Sequence, residues 1–427
     1  MSPVEPLAPW QTAWPLLPIL LMVAWGAWHS RREIRFDPVL LGLVCLALLV
    51  RVVWMPVGRH IFDGHEAEYL DVYMGTRELT RGGPLFYPAM QWLYRGFGLM
   101  FRHPGLLLTL CVAASLLSIS AFYGWVYRLL GRVPAIVGAL LLVLWGNHAF
   151  WATSAYNVVL PHAFSMVSIW GLVCLGGPRP SRGVAWLAGG AAALAIATRV
   201  ESVIWVPVGL SILLALKPAD VRQWGVPLAL GGLLGGISAA YVLWPGTVPG
   251  AGQRAISFAN NVGMLDYFAP MQHPLYALLP VLGLVLGWRG HRWIGAGLVV
   301  AVVGGHLLFS TFDDYGFRHA LVVLPAVVAL MAGLATKGLG RGVLSVFLIP
   351  LLLHTQQVAD RYYMEEDDFA AQLDPSLKRV GLDALGSCAL ICEDGRIVEE
   401  GQQKSHFNLL DPAEAESLRA EKGCLQW

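Results

Sequence analysis

Apolar stretches of the kind that cross a bilayer, several of them short, recur along most of this chain. They lie near residues 12 to 29, 38 to 57, 105 to 127, 134 to 151, 158 to 176, 184 to 198, 202 to 216, 226 to 244, 274 to 288, 293 to 310, 319 to 336 and 342 to 356. A spanning helix needs roughly 20 mostly apolar residues, since each backbone N–H and C=O in hydrocarbon must be paired within the protein. The expected fold is therefore an all-α polytopic membrane protein with a bundle of about 12 transmembrane helices. Composition agrees: the chain is 56% hydrophobic and 13% charged, whereas soluble domains average about 45 to 50% apolar with Gly counted.

Lys and Arg predict the orientation, because cytoplasmic loops carry their excess. Arg31, Arg32 and Arg35, then Arg128 and Arg132, Arg179 and Arg182, Lys217 and Arg222, Arg289 and Arg292, and Lys337 and Arg341 fall in alternate connections. These are expected to be cytoplasmic. Residues 58 to 104, 152 to 157, 199 to 201, 245 to 273 and 311 to 318, and the tail from 357, are then periplasmic or extracytoplasmic. The first apolar stretch follows Glu5 with no Lys or Arg before it, so it reads as a retained helix rather than a cleaved signal. A net charge of +1 gives no footing for nucleic acid.

Three parts are expected: a bundle over 1–356, a large outside loop over 58–104 within it, and a small extracytoplasmic tail over 357–427. In the loop, Glu66 to Leu79 has helical composition, with Leu70, Tyr73, Met74 and Arg77 on one face that suits an interfacial helix. Pro84 to Phe101 carries Phe86, Tyr87, Trp92, Tyr94, Phe97 and Phe101. These rings suit headgroup depth, as an anchor or as the lining of a lipid entrance. Ala389 to Val398 reads as strand, Asp-Gly turn, strand. Cys45, Cys111 and Cys174 lie in apolar segments as small buried side chains. Cys388, Cys392 and Cys424 fall in the tail, where one disulfide is permitted and one thiol is left over.

Polar residues that solubility does not explain collect in four places on the expected outer side. The first is Asp63, His65, Glu66 and Glu68, directly after an apolar segment. A carboxylate beside apolar walls can have a raised pKa and take a proton from a hydroxyl, the work of a general base; the plain alternative is a solvated loop. The second is Tyr156, Asn157, Pro161 and His162, where His162 also reads as a core histidine. The third is Thr198-Arg199-Val200-Glu201, an Arg and a Glu between two apolar helices, costly there unless paired or functional. The fourth is Phe312-Asp313-Asp314-Tyr315-Gly316-Phe317-Arg318-His319, where Arg318 at a helix start suits a phosphate. Asp313 and Asp314 are a weak metal signal. No Walker loop, dinucleotide fingerprint, HExxH or GxSxG occurs, which removes the common nucleotide, zinc-protease and serine-hydrolase readings.

These places together resemble the GT-C superfamily of integral-membrane glycosyltransferases, in particular the protein O-mannosyltransferase and lipid A aminoarabinose transferase branch, similar to glycosyltransferase family 39. His65-Glu66-Ala67-Glu68-Tyr69 is similar to an Asp-Glu-x-x-Tyr motif in the large first outside loop. Ala197 to Ser202 is similar to a segment carrying Arg or Lys followed by Pro-Glu. Tyr315 to Pro325 resembles a late Arg-Tyr helix start. The likeness spans roughly residues 38 to 340. The sequence departs from the pattern in four ways: His65 stands where relatives usually carry the catalytic Asp, Val200 replaces the common Pro, one helix precedes the usual first, and the large soluble domain of some relatives is not expected here.

The resemblance implies transfer of a sugar from a polyprenyl-phosphate donor to an acceptor hydroxyl of a lipid, glycan or protein on the outer face, with inversion. Asp63 or Glu66 would be the base, and Arg199 or Arg318 would hold the departing phosphate. His65, Glu68, Tyr69, Asn157, His162, Glu201, Asp313, Asp314 and His319 would contact substrate. The resemblance implies no cofactor and no divalent metal. The rivals are a secondary transporter or lipid flippase, expected to carry ionisable residues near helix midpoints, and a non-catalytic subunit that binds an isoprenoid lipid.

Overall fold

The protein is described from a computed structural model. The residues described are 16–33, 37–54, 69, 72–75, 88–101, 104–153, 158–178, 180–216, 221–243, 274–309, 321–372, 391–392 and 424–425. The chain is an all-α integral membrane bundle. Its helices are α1 (Leu16–Ser30), α2 (Pro38–Leu49), α3 (Pro88–Met100), α4 (Pro104–Leu130), α5 (Arg132–Leu144), α6 (Gly146–Trp151) and α7 (Val159–Leu175), followed by α8 (Arg182–Thr198), α9 (Val206–Leu216), α10 (Val221–Leu243), α11 (Leu278–Gly287), α12 (Arg292–Phe309), α13 (Leu324–Ala332) and α14 (Gly338–Gln372). By length and composition, three helical stretches among the described residues can cross a membrane: Leu106–Leu130, Arg289–Leu308 and Gly338–Ala359. The other apolar helices are shorter.

Small residues set the packing. In a bilayer, helices associate through close backbone approach rather than through escape from water. The Gly- and Ala-rich α8 accordingly sits at the centre, against α1, α7 and α10. A Cβ placed on Gly231 of α10 would come within 2.4 Å of the Gly189 carbonyl oxygen of α8. The pair Gly283 and Gly287 on α11 does the same against the α13 side, where a Cβ would meet Leu330 O at 1.9 Å and Gly333 O at 2.1 Å. Trp288 then fills the space beside this contact and donates from Nε1 to Ala329 O at 3.1 Å.

Four of the basic connections meet at one end of the bundle. Arg128 pairs with Glu33 at 3.1 Å and Arg132 with Asp37 at 3.6 Å. Ser181 N donates to Glu33 Oε1, and His291 lies 3.0 Å from Leu129 O. Asp37 also caps α2, accepting from Val39 N and from the Tyr123 hydroxyl. These hydrogen bonds, that of Tyr123 foremost, hold its carboxyl below the usual aspartate value.

Four expectations change in detail. The stretch 134 to 151 is not one helix. Trp145 is extended (φ −74°, ψ 107°) and divides α5 from α6. Gly146 packs so closely on Thr355 of α14 that a Cβ would lie 2.9 Å from its Cα, and the Thr355 hydroxyl donates to the freed Leu144 carbonyl. Of the helix expected over 66–79, residues 69 and 72–74 are helical and Gly75, with a φ of 86° that suits glycine, lies in a turn; the rest falls outside the described residues. α14 runs past residue 356 to Gln372, because no Gly or Pro interrupts the polar stretch that follows. In the tail, Ile391–Cys392 is a strand, but its antiparallel partner is Cys424–Leu425. The Asp394-Gly395 turn expected to close a hairpin lies outside the described residues.

Candidate functional site

At the end opposite the basic girdle, α2 finishes in a π-helical turn over Val50–Trp54. Such a turn loosens the backbone ladder, and Arg51 Nη1 donates to the Ala47 carbonyl at 3.1 Å. Its Nε donates to Ser115 Oγ of α4 at 2.8 Å, and Nη2 to Nδ1 of His148 on α6 at 3.0 Å. The His148 ring meets the His162 ring of α7 edge-on, with centroids 5.3 Å apart. Arg51 is fully buried. Its partners, two side chains and one backbone carbonyl, are all neutral, and no carboxylate among the described residues lies within ion-pair distance. His162 is also buried, and its Nε2 has no hydrogen-bond partner among the described residues.

The second part of the site is the junction of α8 with the 3-10 segment Val200–Trp205. Arg199 is extended there (φ −160°), which turns the chain between two helices. Its Nε lies 3.6 Å from Glu201 Oε2, and both residues are buried. The Trp205 indole donates to Val322 O at 3.1 Å. That bond ties this junction to the chain just after the Asp313 to His319 stretch. Trp54 Nε1, beyond Arg51, donates to Gln356 Oε1 of α14 at 3.0 Å.

One buried cluster joins these pieces. Tyr69, Val72 and Tyr73 pack with Met90 and Tyr94 of α3, with Leu107 and Leu108 of α4, and with Val159, Leu160 and Ala163 of α7, and Val200 closes against them. Tyr69 and Tyr94 meet edge-on at 5.5 Å. Thus Tyr69, the helix start that carries His162, and the residue between Arg199 and Glu201 share one apolar core. Beside it, a cavity of about 150 Å³ opens between α7, α8, α9 and α10, lined by Ser168, Ser202 and Trp205 together with leucines such as Leu172 and Leu213 and glycines of α8 and α10.

Of the expected site residues, Tyr69 lies in this core, His162 follows Leu160 on the helix that lines it, and Arg199 and Glu201 flank Val200, which packs against it. Asp63, His65, Glu66, Glu68, Asn157, Asp313, Asp314, Arg318 and His319 lie outside the described residues. Among the described residues, no group of three His, Cys, Asp or Glu side chains could hold a metal ion. Arg51 and His148 are additions that the motifs did not single out. The signal was present, since Arg51 is the only charged residue between Pro38 and Gly58, and a charge inside a span is expected to have a purpose.

No protein-family model matches the sequence, and no curated protein does. Solved structures resemble it in fold. ArnT from Cupriavidus metallidurans bound to undecaprenyl phosphate is similar over 81% of this chain and 69% of its own, with a TM-score of 0.50 and 17% identity. The bundle shares its overall fold with this ArnT. Apo ArnT from the same organism is similar over 81% of this chain at 17% identity and a TM-score of 0.49, and the Archaeoglobus fulgidus oligosaccharyltransferase over 81% at 10% identity and 0.49. The chain spans 65% of the length of that apo ArnT.

Proposed function

We propose that this protein is a membrane glycosyltransferase that moves a sugar from a polyprenyl-phosphate-linked donor to an acceptor hydroxyl at the extracytoplasmic face. The observation that carries this reading is the fully buried Arg51 guanidinium, whose partners among the described residues are all neutral. A buried cation without a counter-charge costs several kcal/mol. A phosphate arriving at this end of the bundle supplies that charge, and charge-assisted hydrogen bonds to phosphate are among the strong ones. Two further points support the reading: ArnT, of similar fold, binds undecaprenyl phosphate, and the chain has no nucleotide motif, which fits a lipid-linked donor.

In this reading Arg51 takes the phosphate, with Arg318 as a second cation. Arg199, already facing Glu201, holds the junction and its charge is partly spent there. The apolar cavity beside Ser202 receives part of the isoprenoid chain. Asp63 or Glu66 deprotonates the acceptor hydroxyl, whose oxygen displaces the lipid phosphate at the anomeric carbon with inversion. The leaving phosphate gains negative charge in the transition state, where a preorganised guanidinium helps most. His65, Glu68, Tyr69, Asn157, His162, Glu201, Asp313, Asp314 and His319 shape the sugar and acceptor subsites. The basic girdle faces the cytoplasm, and the acceptor is a lipid, glycan or protein.

Turnover by the purified protein in lipid, with a panel of polyprenyl-phosphate sugars, tests the reading. Asp63→Asn or Glu66→Gln is expected to abolish release of polyprenyl phosphate while leaving donor binding in place. A second reading, a non-catalytic subunit that binds the isoprenoid lipid, is favoured by His65 standing where relatives carry Asp. It predicts donor binding without turnover in every variant.

A further inference from the structure

The tail from residue 357 carries three cysteines, Cys388, Cys392 and Cys424. The strand pair Ile391–Cys392 and Cys424–Leu425 is antiparallel and sets the Cα of Cys392 directly opposite that of Cys424. Directly opposed residues in an antiparallel pair have Cα atoms about 4.5 or 5.5 Å apart, depending on the hydrogen-bonding register. Both spacings lie inside the window of about 4.4 to 6.8 Å that a disulfide requires. A ribbon with two residues on each strand is too short to persist on its ladder bonds alone. A covalent tie between its opposed residues would give it that persistence.

We propose that Cys392 and Cys424 form a cross-strand disulfide that staples the end of the chain to the middle of the tail, leaving Cys388 as a free thiol. Each thiol gives up a proton, and the two electrons pass to the disulfide of a thiol–disulfide exchange oxidant, which leaves as a dithiol. Such oxidants act outside the cytoplasm. The inference therefore rests on the extracytoplasmic placement of the tail and is independent of the chemistry proposed for the bundle.

The experiment uses the full chain in intact cells, quenched with a membrane-impermeant maleimide, then denatured, alkylated with a second reagent and digested without reduction. Trypsin places Cys388 and Cys392 together in peptide 380–396 and Cys424 in peptide 423–427, so Cys388→Ser is analysed beside the wild type. The expected result is peptide 380–396 joined to 423–427 in both proteins, the impermeant label on Cys388 in the wild type, and loss of the link in Cys392→Ser. Impermeant label on Cys392 and Cys424, or a link that vanishes in Cys388→Ser, overturns the pairing while leaving the tail outside. All three cysteines carrying only the second reagent places the tail inside and overturns both the pairing and its compartment.

Discussion

Arg51 donates from Nη2 to Nδ1 of His148 at 3.0 Å, joining α2 to α6 across 97 residues of sequence. A guanidinium can only donate, so Nδ1 of His148 accepts and its ring proton sits on Nε2. The resulting neutral tautomer is a direct prediction. In protein labelled with ¹⁵N-histidine, one histidine is expected to show an unprotonated, hydrogen-bonded Nδ1 that changes in Arg51→Leu. A His148 signal protonated at both nitrogens contradicts this arrangement.

Thr355 closes the gap left where α5 stops at Trp145, by donating to the Leu144 carbonyl. Thr355→Val keeps the shape and removes the hydroxyl, leaving a buried carbonyl short of a donor. The expected loss is about 1 to 3 kcal/mol of stability, read as a lower unfolding midpoint in detergent. A midpoint equal to wild type would mean that the break at Trp145 does not depend on this bond.

The α11 to α13 contact leaves no room for a methyl group at Gly283, where the obstacle is the backbone oxygen of Leu330 at 1.9 Å. Gly283→Ala must push the helices apart and is expected to cost about 1 to 3 kcal/mol. Gly42→Ala, at a position with nothing within 4 Å, is the matched control. Equal midpoints for the two variants sink the packing account.

Asp37 gives the basic end of the bundle a pH dependence. Its folded pKa is lowered, first by the Tyr123 hydroxyl and then by Val39 N–H, so the folded state binds its proton less tightly than the unfolded chain. The stabilisation is complete above the ordinary aspartate value of about 3.9 and fades as pH falls through the lowered folded value. Asp37→Asn keeps a capping oxygen and loses the charge. It should be less stable than wild type near neutrality, with the gap closing in acid. A gap independent of pH would assign the effect to the cap alone.

Helices α2, α7 and α8 were legible because each is an apolar run bounded by a helix start or a charged junction, such as Asp37-Pro38 or Thr198-Arg199. The basic girdle was legible for the same reason, since alternate loops carry its Arg and Lys. The break at Trp145 was not, because it depends on Gly146 meeting Thr355, a contact no local window contains. Arg51 was visible as a charge in an apolar segment, but its meaning lay in Ser115 and His148, which only the packed bundle brings to it. His162 read first as a core histidine, and its Nε2, without a partner among the described residues and on a ring that meets His148, is a tertiary fact. Conversely, Arg199 read as a phosphate ligand, and burial with Glu201 gives it a partner of its own.

The central claim is that the buried guanidinium of Arg51, which meets no carboxylate among the described residues, receives the phosphate of a polyprenyl lipid. Binding of undecaprenyl phosphate and of undecaprenol to the purified protein, as wild type, Arg51→Lys and Arg51→Gln, tests it most directly. The account predicts that wild type prefers the phosphate by about tenfold or more, as a charge-assisted hydrogen bond of about 1.5 to 3 kcal/mol implies. It also predicts that Arg51→Lys keeps part of that preference, and that Arg51→Gln loses it with undecaprenol binding unchanged. An Arg51→Gln protein that folds and still prefers the phosphate to the alcohol contradicts the account.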